Sequence, residues 1–109
     1  MNYRNTYVEI NLNNLEHNVN VLAQQTKKSL FCVVKANAYG HGAIQVAKFL
    51  AKQNDVAYLC VSSLDEALEL RISGITFPII ILGYVDPQHI PVCLENNITV
   101  SIISLDWFK

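Results

Sequence analysis

The chain has 109 residues, 51% of them hydrophobic, and eight basic against nine acidic side chains leave a formal net charge of −1. That composition suits one modest core and excludes a disordered tail, while near-neutral charge with no basic stripe excludes an electrostatic nucleic-acid binder. No apolar run is long enough to span a bilayer, and Met1-Asn2-Tyr3-Arg4-Asn5 lacks a signal-peptide core.

In chain order the pattern is β then α, repeated. Tyr7–Asn11 reads as a strand leading into a helix from about Asn14 to Thr26, with Asn13 as its cap and Leu15, Val19 and Leu22 as its apolar face. Leu30-Phe31-Cys32-Val33-Val34 is an unbroken apolar run, which suits a sheet strand covered on both faces and ending at Lys35. A turn closing on Gly40-His41-Gly42 precedes a second helix, Ala43 to about Lys52, with Val46, Phe49 and Leu50 toward the core. Tyr58–Ser62 is the third strand. Ser63-Leu64-Asp65-Glu66 then spells a capping box, with Ser63 at the cap and Glu66 reaching back to its amide. That helix shows Leu64, Ala67, Leu68 and Ile72 on one face and stops at Gly74. Pro78–Leu82 is strand four, Asp86-Pro87 opens a short helix to about Glu95, and Ile98–Ile103 is strand five. Ser104 to Lys109 looks like a capped helix start with no stop signal.

No linker or low-complexity tract interrupts this, so a single α/β domain is expected. Its parallel sheet would have right-handed crossovers. Local pattern alone does not separate an open doubly wound sheet from a barrel. Cys32, Cys60 and Cys93 are odd in number and far apart, giving neither a disulfide framework nor a zinc spacing, and a reducing cytoplasm fits best. Glu9 has no evident carboxylate partner, so paired-acid catalysis is not suggested.

Lys35 is the residue that asks for chemistry, because α/β proteins place their sites at the C-terminal ends of strands. An amine there can pair with a phosphate or carboxylate, shuttle a proton, or condense with an aldehyde to a Schiff base. The last two need a neutral amine, whose pKa must fall from about 10.4 toward roughly 7–8. By residue type alone, a lysine snorkelling from a strand end is the competing reading.

The run Lys35-Ala36-Asn37-Ala38-Tyr39-Gly40-His41-Gly42 closely resembles the cofactor-lysine motif of alanine racemases, which are pyridoxal 5′-phosphate (PLP) enzymes built on a β/α barrel. Tyr7 to Leu15 followed by Asn18, Ser63 to Ala67, Ile81-Leu82-Gly83 and Asp106-Trp107 fall in the family's order, so nearly the whole chain from Tyr7 onward is covered. The resemblance implies the N-terminal portion of a (β/α)8 TIM-like barrel. Residues 1–109 would hold about five βα units, and a complete barrel takes about 250 residues. A piece of a longer protein is therefore expected, lacking the rest of the barrel and a C-terminal β-domain.

By the same resemblance, Lys35 would bind PLP as a Schiff base and serve as the base on the D-substrate side. Tyr39 would reach the cofactor phosphate, and Leu82 would pack near the cofactor unless it is an ordinary barrel leucine. The implied activity is interconversion of L- and D-alanine, supplying D-alanine for peptidoglycan, by a cytoplasmic homodimer with no metal. The opposite-face base would be a tyrosine from the partner subunit, and the phosphate loop and the arginine facing the pyridine nitrogen would also lie beyond Lys109. Neither Arg4 nor Arg71 matches that arginine, Arg71 falling on a surface helix, so the 109 residues alone are not expected to racemise alanine. Asn37 is expected to hydrogen-bond within its own turn, His41 to be structural, and Gly40 and Gly42 to answer tight packing. Three rivals share features with this chain: a serine or broad-specificity racemase, a barrel decarboxylase with a similar Val-Lys-Ala-Asn stretch, and a non-catalytic PLP-binding barrel protein.

Overall fold

Alternation of apolar runs with amphipathic stretches folds as βα units. The computed structural model describes residues 9–102 and 104–108. Its elements are α1 (Leu12–Thr26), β1 (Leu30–Val33), a single helical turn α2 (Lys35–Tyr39), α3 (Ala43–Leu50), β2 (Val56–Val61), α4 (Leu64–Ile72), β3 (Ile79–Ile81), a 3-10 turn at Pro87–His89, α5 (Ile90–Glu95), β4 (Ile98–Val100) and α6 (Leu105–Phe108). The four strands form one parallel sheet in the order β1-β2-β3-β4. Each strand lies beside its neighbour in sequence, the simplest order for successive βα crossovers.

Of the five expected strands, the first is not found in the described residues. Tyr7 and Val8 lie outside them, and Glu9–Asn11 pair with no strand. Asn11 is engaged otherwise: its side chain accepts the Asn14 amide at 3.1 Å, so it caps α1 in place of Asn13 and the helix begins at Leu12. The α1 face turned inward carries Val19 and Ala23, with Leu15 partly buried, whereas Leu22 is 51% exposed. Three of the four strands are also shorter than expected, whereas β2 starts earlier, at Val56, and ends one residue sooner, at Val61. β1 stops at Val33, two residues before Lys35, and β4 stops at Val100, with Ile103 outside the described residues.

The sheet's two faces differ. The row Leu59, Val61, Ile79, Ile81 and Ile98 is at most 7% exposed and belongs to the core with Ala47, Leu50, Ala67 and Leu70 from α3 and α4. Each large buried side chain contributes about 1.5–3 kcal/mol. The alternate row is open along β1, although Cys60 on β2 is buried. Phe31 is 57% exposed and Val33 39%, and register aligns Phe31 with Tyr58, their rings 4.8 Å apart. So the run Leu30–Val34 is not covered on both faces, because the described helices pack on one side only.

Two polar devices secure the helix side. Arg71, expected as a bystander on a surface helix, is half-buried. It donates to the carbonyls of Asn96 (2.8 Å), Ile75 (2.9 Å), Phe77 (2.7 Å) and Asn97 (3.0 Å), stitching α4 to the approaches of β3 and β4. Burial pulls its guanidinium below the ordinary value. Ile72, placed by periodicity on the buried face of α4, is instead 86% exposed, while Leu70 is buried. Trp107 anchors α6 through its indole N–H, which donates to the Val85 carbonyl at 2.6 Å.

The second device is the start of α4. Ser63 Oγ accepts the Glu66 amide at 3.3 Å, as a capping box requires. The Glu66 carboxylate overshoots its expected partner: Oε1 accepts the Ser62 amide and hydroxyl, both at 2.7 Å, and Oε2 accepts the Ala36 amide at 2.7 Å. Burial by itself would raise this carboxyl. The bonds from Ser62 outweigh it with help from the Ala36 and Ser63 amides, holding the group below its ordinary 4.5.

Arg71→Lys in the full-length protein should destabilise it by about 2–3 kcal/mol, because three ammonium donors on a flexible stem cannot serve four fixed carbonyls. A chemical-denaturation midpoint unchanged from wild type would contradict that. For Glu66 the folded pKa lies below the unfolded one, so its stabilisation is complete above the unfolded pKa near 4.5 and is lost as pH falls through the folded value. Thermal melts from about pH 6 down to about pH 3 should show this loss, and Glu66→Gln should flatten that limb of the curve.

Candidate active site

Parallel strands end together, so their C-terminal rim gathers residues far apart in sequence. Here the β1 exit carries Val34, Lys35 and Ala36, the β2 exit Ser62 and Ser63, and the β3 exit Leu82 and Gly83. Val34 donates to the Cys60 carbonyl at 2.9 Å and Leu82 to the Val61 carbonyl at 2.8 Å, continuing the ladder past the formal strand ends. A Cβ on Gly83 would collide with the Ser62 carbonyl oxygen, so only glycine lets the β3 exit pack this closely against β2.

Lys35 does not sit on the strand itself. It opens α2, in which Ala36, Asn37, Ala38 and Tyr39 all have φ between 51 and 56°. Four consecutive non-glycine residues in the left-handed region cost about 1–2 kcal/mol each. Hydrogen bonds offset this. Ala38 donates to Val34 O at 2.9 Å, Gly42 to Asn37 O at 2.9 Å, and Ala36 to Glu66 as above. The His41 ring nitrogen Nδ1 lies 2.9 Å from Ala38 O, the structural role expected for it. Asn37 reaches beyond its turn: its Oδ1 accepts the Ala43 amide at 2.8 Å and thereby caps α3. Gly40 and Gly42 have φ of 91 and 92°, and added Cβ atoms would meet nothing within 4 Å. Backbone conformation, not tight packing, is what demands glycine there.

Lys35 is half-buried and Tyr39 is 61% exposed at the far end of the same turn. Leu82 is 45% exposed, just past β3, where the two-residue period from Ile80 continues the open row. The three site residues read from the sequence thus lie past the C-terminal ends of two strands of one sheet, Lys35 and Tyr39 after β1 and Leu82 after β3. The residues missed were Glu66 and Asn37 in their actual roles. A signal for Glu66 did exist: a capping box directly after β2 puts its glutamate beside the exit of the neighbouring parallel strand. Burial raises the Cys32, Cys60 and Cys93 thiols, Cys32 also through its neighbour Cys60, so none is a ready nucleophile. Among the described residues no three His, Cys, Asp or Glu side chains converge on a metal position, and no helix is long and apolar enough to cross a membrane.

The chain is similar to racemases of known structure and sequence. Residues 10–109 match the family model described as "Alanine racemase, N-terminal domain". An alanine racemase of Streptococcus suis is 48% identical over 109 residues, covering 98% of this chain and 29% of its own length. The crystal structure of alanine racemase from Bacillus anthracis with bound L-Ala-P superposes with a TM-score of 0.87 at 38% identity, covering 98% of this chain and 28% of that one. A histidine racemase from Leuconostoc mesenteroides gives a TM-score of 0.82 at 31% identity, covering 89% and 26%. The chain therefore spans under a third of the length of these relatives, and its four-stranded parallel sheet corresponds to the N-terminal part of their barrel. With the family model matched along nearly its whole length, the chain belongs to the alanine racemase N-terminal domain family.

Proposed function

We propose that the full-length protein carrying this chain is a PLP-dependent amino-acid racemase, with alanine as its first substrate, and that residues 1–109 supply the lysine side of its site as part of one barrel domain. The observation that carries this reading is the left-handed turn, which brackets an amine at Lys35 and a phenol at Tyr39 on the rim beside an exposed apolar row. These groups fit PLP: an amine for its aldehyde, a hydroxyl for its phosphate, and Phe31, Val33 and Leu82 as apolar surface for its ring. When bound, PLP supplies the electron withdrawal that makes an amino acid's α-proton removable.

Lys35 would hold the cofactor by its aldehyde through Nζ, and the same amine would move the proton at the substrate's Cα on one face. Tyr39 Oη would donate to a phosphate oxygen, and Leu82 would keep water from the ring edge. The opposite-face base, the main phosphate loop and a homodimer partner would come from parts of the protein outside this chain, so residues 1–109 alone should show no turnover. Supply of D-alanine for peptidoglycan in the cytoplasm follows if alanine is the substrate. The likeness to a histidine racemase keeps a second substrate reading open on the same scaffold.

Borohydride reduction of the full-length protein with PLP should fix a pyridoxyl group on the peptide containing Lys35, and Lys35→Ala should lose both label and racemisation. A label on any other lysine would refute the assignment. Tyr39→Phe should weaken PLP binding by about tenfold, the loss of one hydrogen bond to a charged oxygen. Racemisation rates for L-alanine, L-serine and L-histidine, measured side by side, decide the substrate.

A further inference from the structure

We propose that Glu66 is a positioning residue for Lys35, fixing the Lys35–Ala36 peptide to the exit of β2 so that the amine is held where it must react; this rests on the PLP reading above. A glutamate at this place in a capping box ordinarily serves its own helix start. Beyond the Ser63 amide at its own helix start, Glu66 divides its carboxylate between Ser62, four residues away, and the amide of Ala36, thirty residues away and directly after the lysine.

Val34 and Ala38 bury the two ends of the turn in the core, but Ala36 between them is exposed. A cavity of about 260 Å³ lies against the turn, lined by Val34, Asn37, Ala43, Val61 and Glu66 among others, and Ala36, Asn37 and Tyr39 are exposed. The other bonds of the turn are local, from Ala38 to Val34, Gly40 to Ala36 and Gly42 to Asn37. Such bonds shape the turn without fixing where it stands. Among the described residues, past Val34, the bond from Ala36 to Glu66 is the one that ties the lysine segment sideways to the sheet. Glu66 is itself well anchored. Ser62 is pressed by Gly83, β3 is bonded to β2 through Leu82, and Ser63 caps the helix that carries Glu66. A rigid path therefore runs from β3 through Ser62 and Glu66 to the backbone of Lys35.

The test uses the full-length protein and PLP itself. Wild type, Glu66→Gln, Glu66→Asp and Ser62→Ala are titrated with PLP, reduced with borohydride and mapped at Lys35. Visible circular dichroism per bound cofactor reports how firmly the chromophore is oriented, and thermal melts report the fold. Glutamine must turn an N–H toward one donor, and aspartate is one methylene too short to span Ser62 and Ala36. Both variants should therefore raise the half-saturating PLP concentration by about tenfold and lower the visible dichroism per bound PLP. Ser62→Ala, at an exposed position, should act in the same direction by a smaller factor. A helix-capping role alone would lower melting temperatures and leave affinity and dichroism of the folded protein at wild-type values, and that result would overturn the proposal. If the Glu66 variants do not fold, Ser62→Ala decides: weakened binding supports the proposal, and wild-type binding overturns it. A wild type unlabelled at Lys35 would remove the PLP reading and this inference with it, whereas a labelled wild type with unaffected variants removes this inference alone.

Discussion

One-sided burial governs this molecule. Leu59, Val61, Ile79, Ile81 and Ile98 turn to the helices because each crossover returns over the same face, and the alternate row of every strand is then left to the other side. Parallel pairing adds the second half of the constraint. With all four strands pointing one way, their ends align, and residues separated by thirty positions in sequence meet on a single rim. A more open apolar face along β1 and a polar rim follow from the same geometry.

The rim is also where the chain departs from easy conformations. Four left-handed residues after β1 would not persist as an isolated peptide, and two of them are alanines with no side-chain means of favouring that region. They persist because bonds converge on them from several directions: from the β1 exit through Val34, from α4 through Glu66, and from the turn's own Asn37 and His41. Backbone strain held by surrounding structure is common where a reactive group must be pre-arranged. Here the strained segment begins at the residue after Lys35.

Much of this was legible in the residues. The β/α alternation, the Ser63 cap and the Gly74 stop can each be read locally, because each depends on a few neighbours in the chain. The misreadings share one cause. Periodicity put Leu22 and Ile72 in the core, yet what a helix buries depends on what lies opposite it, and nothing described covers those positions. Arg71 read as a surface charge because the four carbonyls it serves come from segments 4 to 26 residues away. Asn11 displaced Asn13 as the cap of α1, a choice between two similar residues that only the path of the backbone makes.

The sequence by itself determined the β/α alternation from Leu30 onward, the parallel class of the sheet and the family, since these follow from local pattern and from a specific eight-residue run. The tertiary structure decided which face of the sheet is open, that the lysine turn is left-handed, and that a capping glutamate reaches across to hold it. Handedness and reach are settled by hydrogen bonds between strand exits, and those exits become neighbours only when the sheet forms.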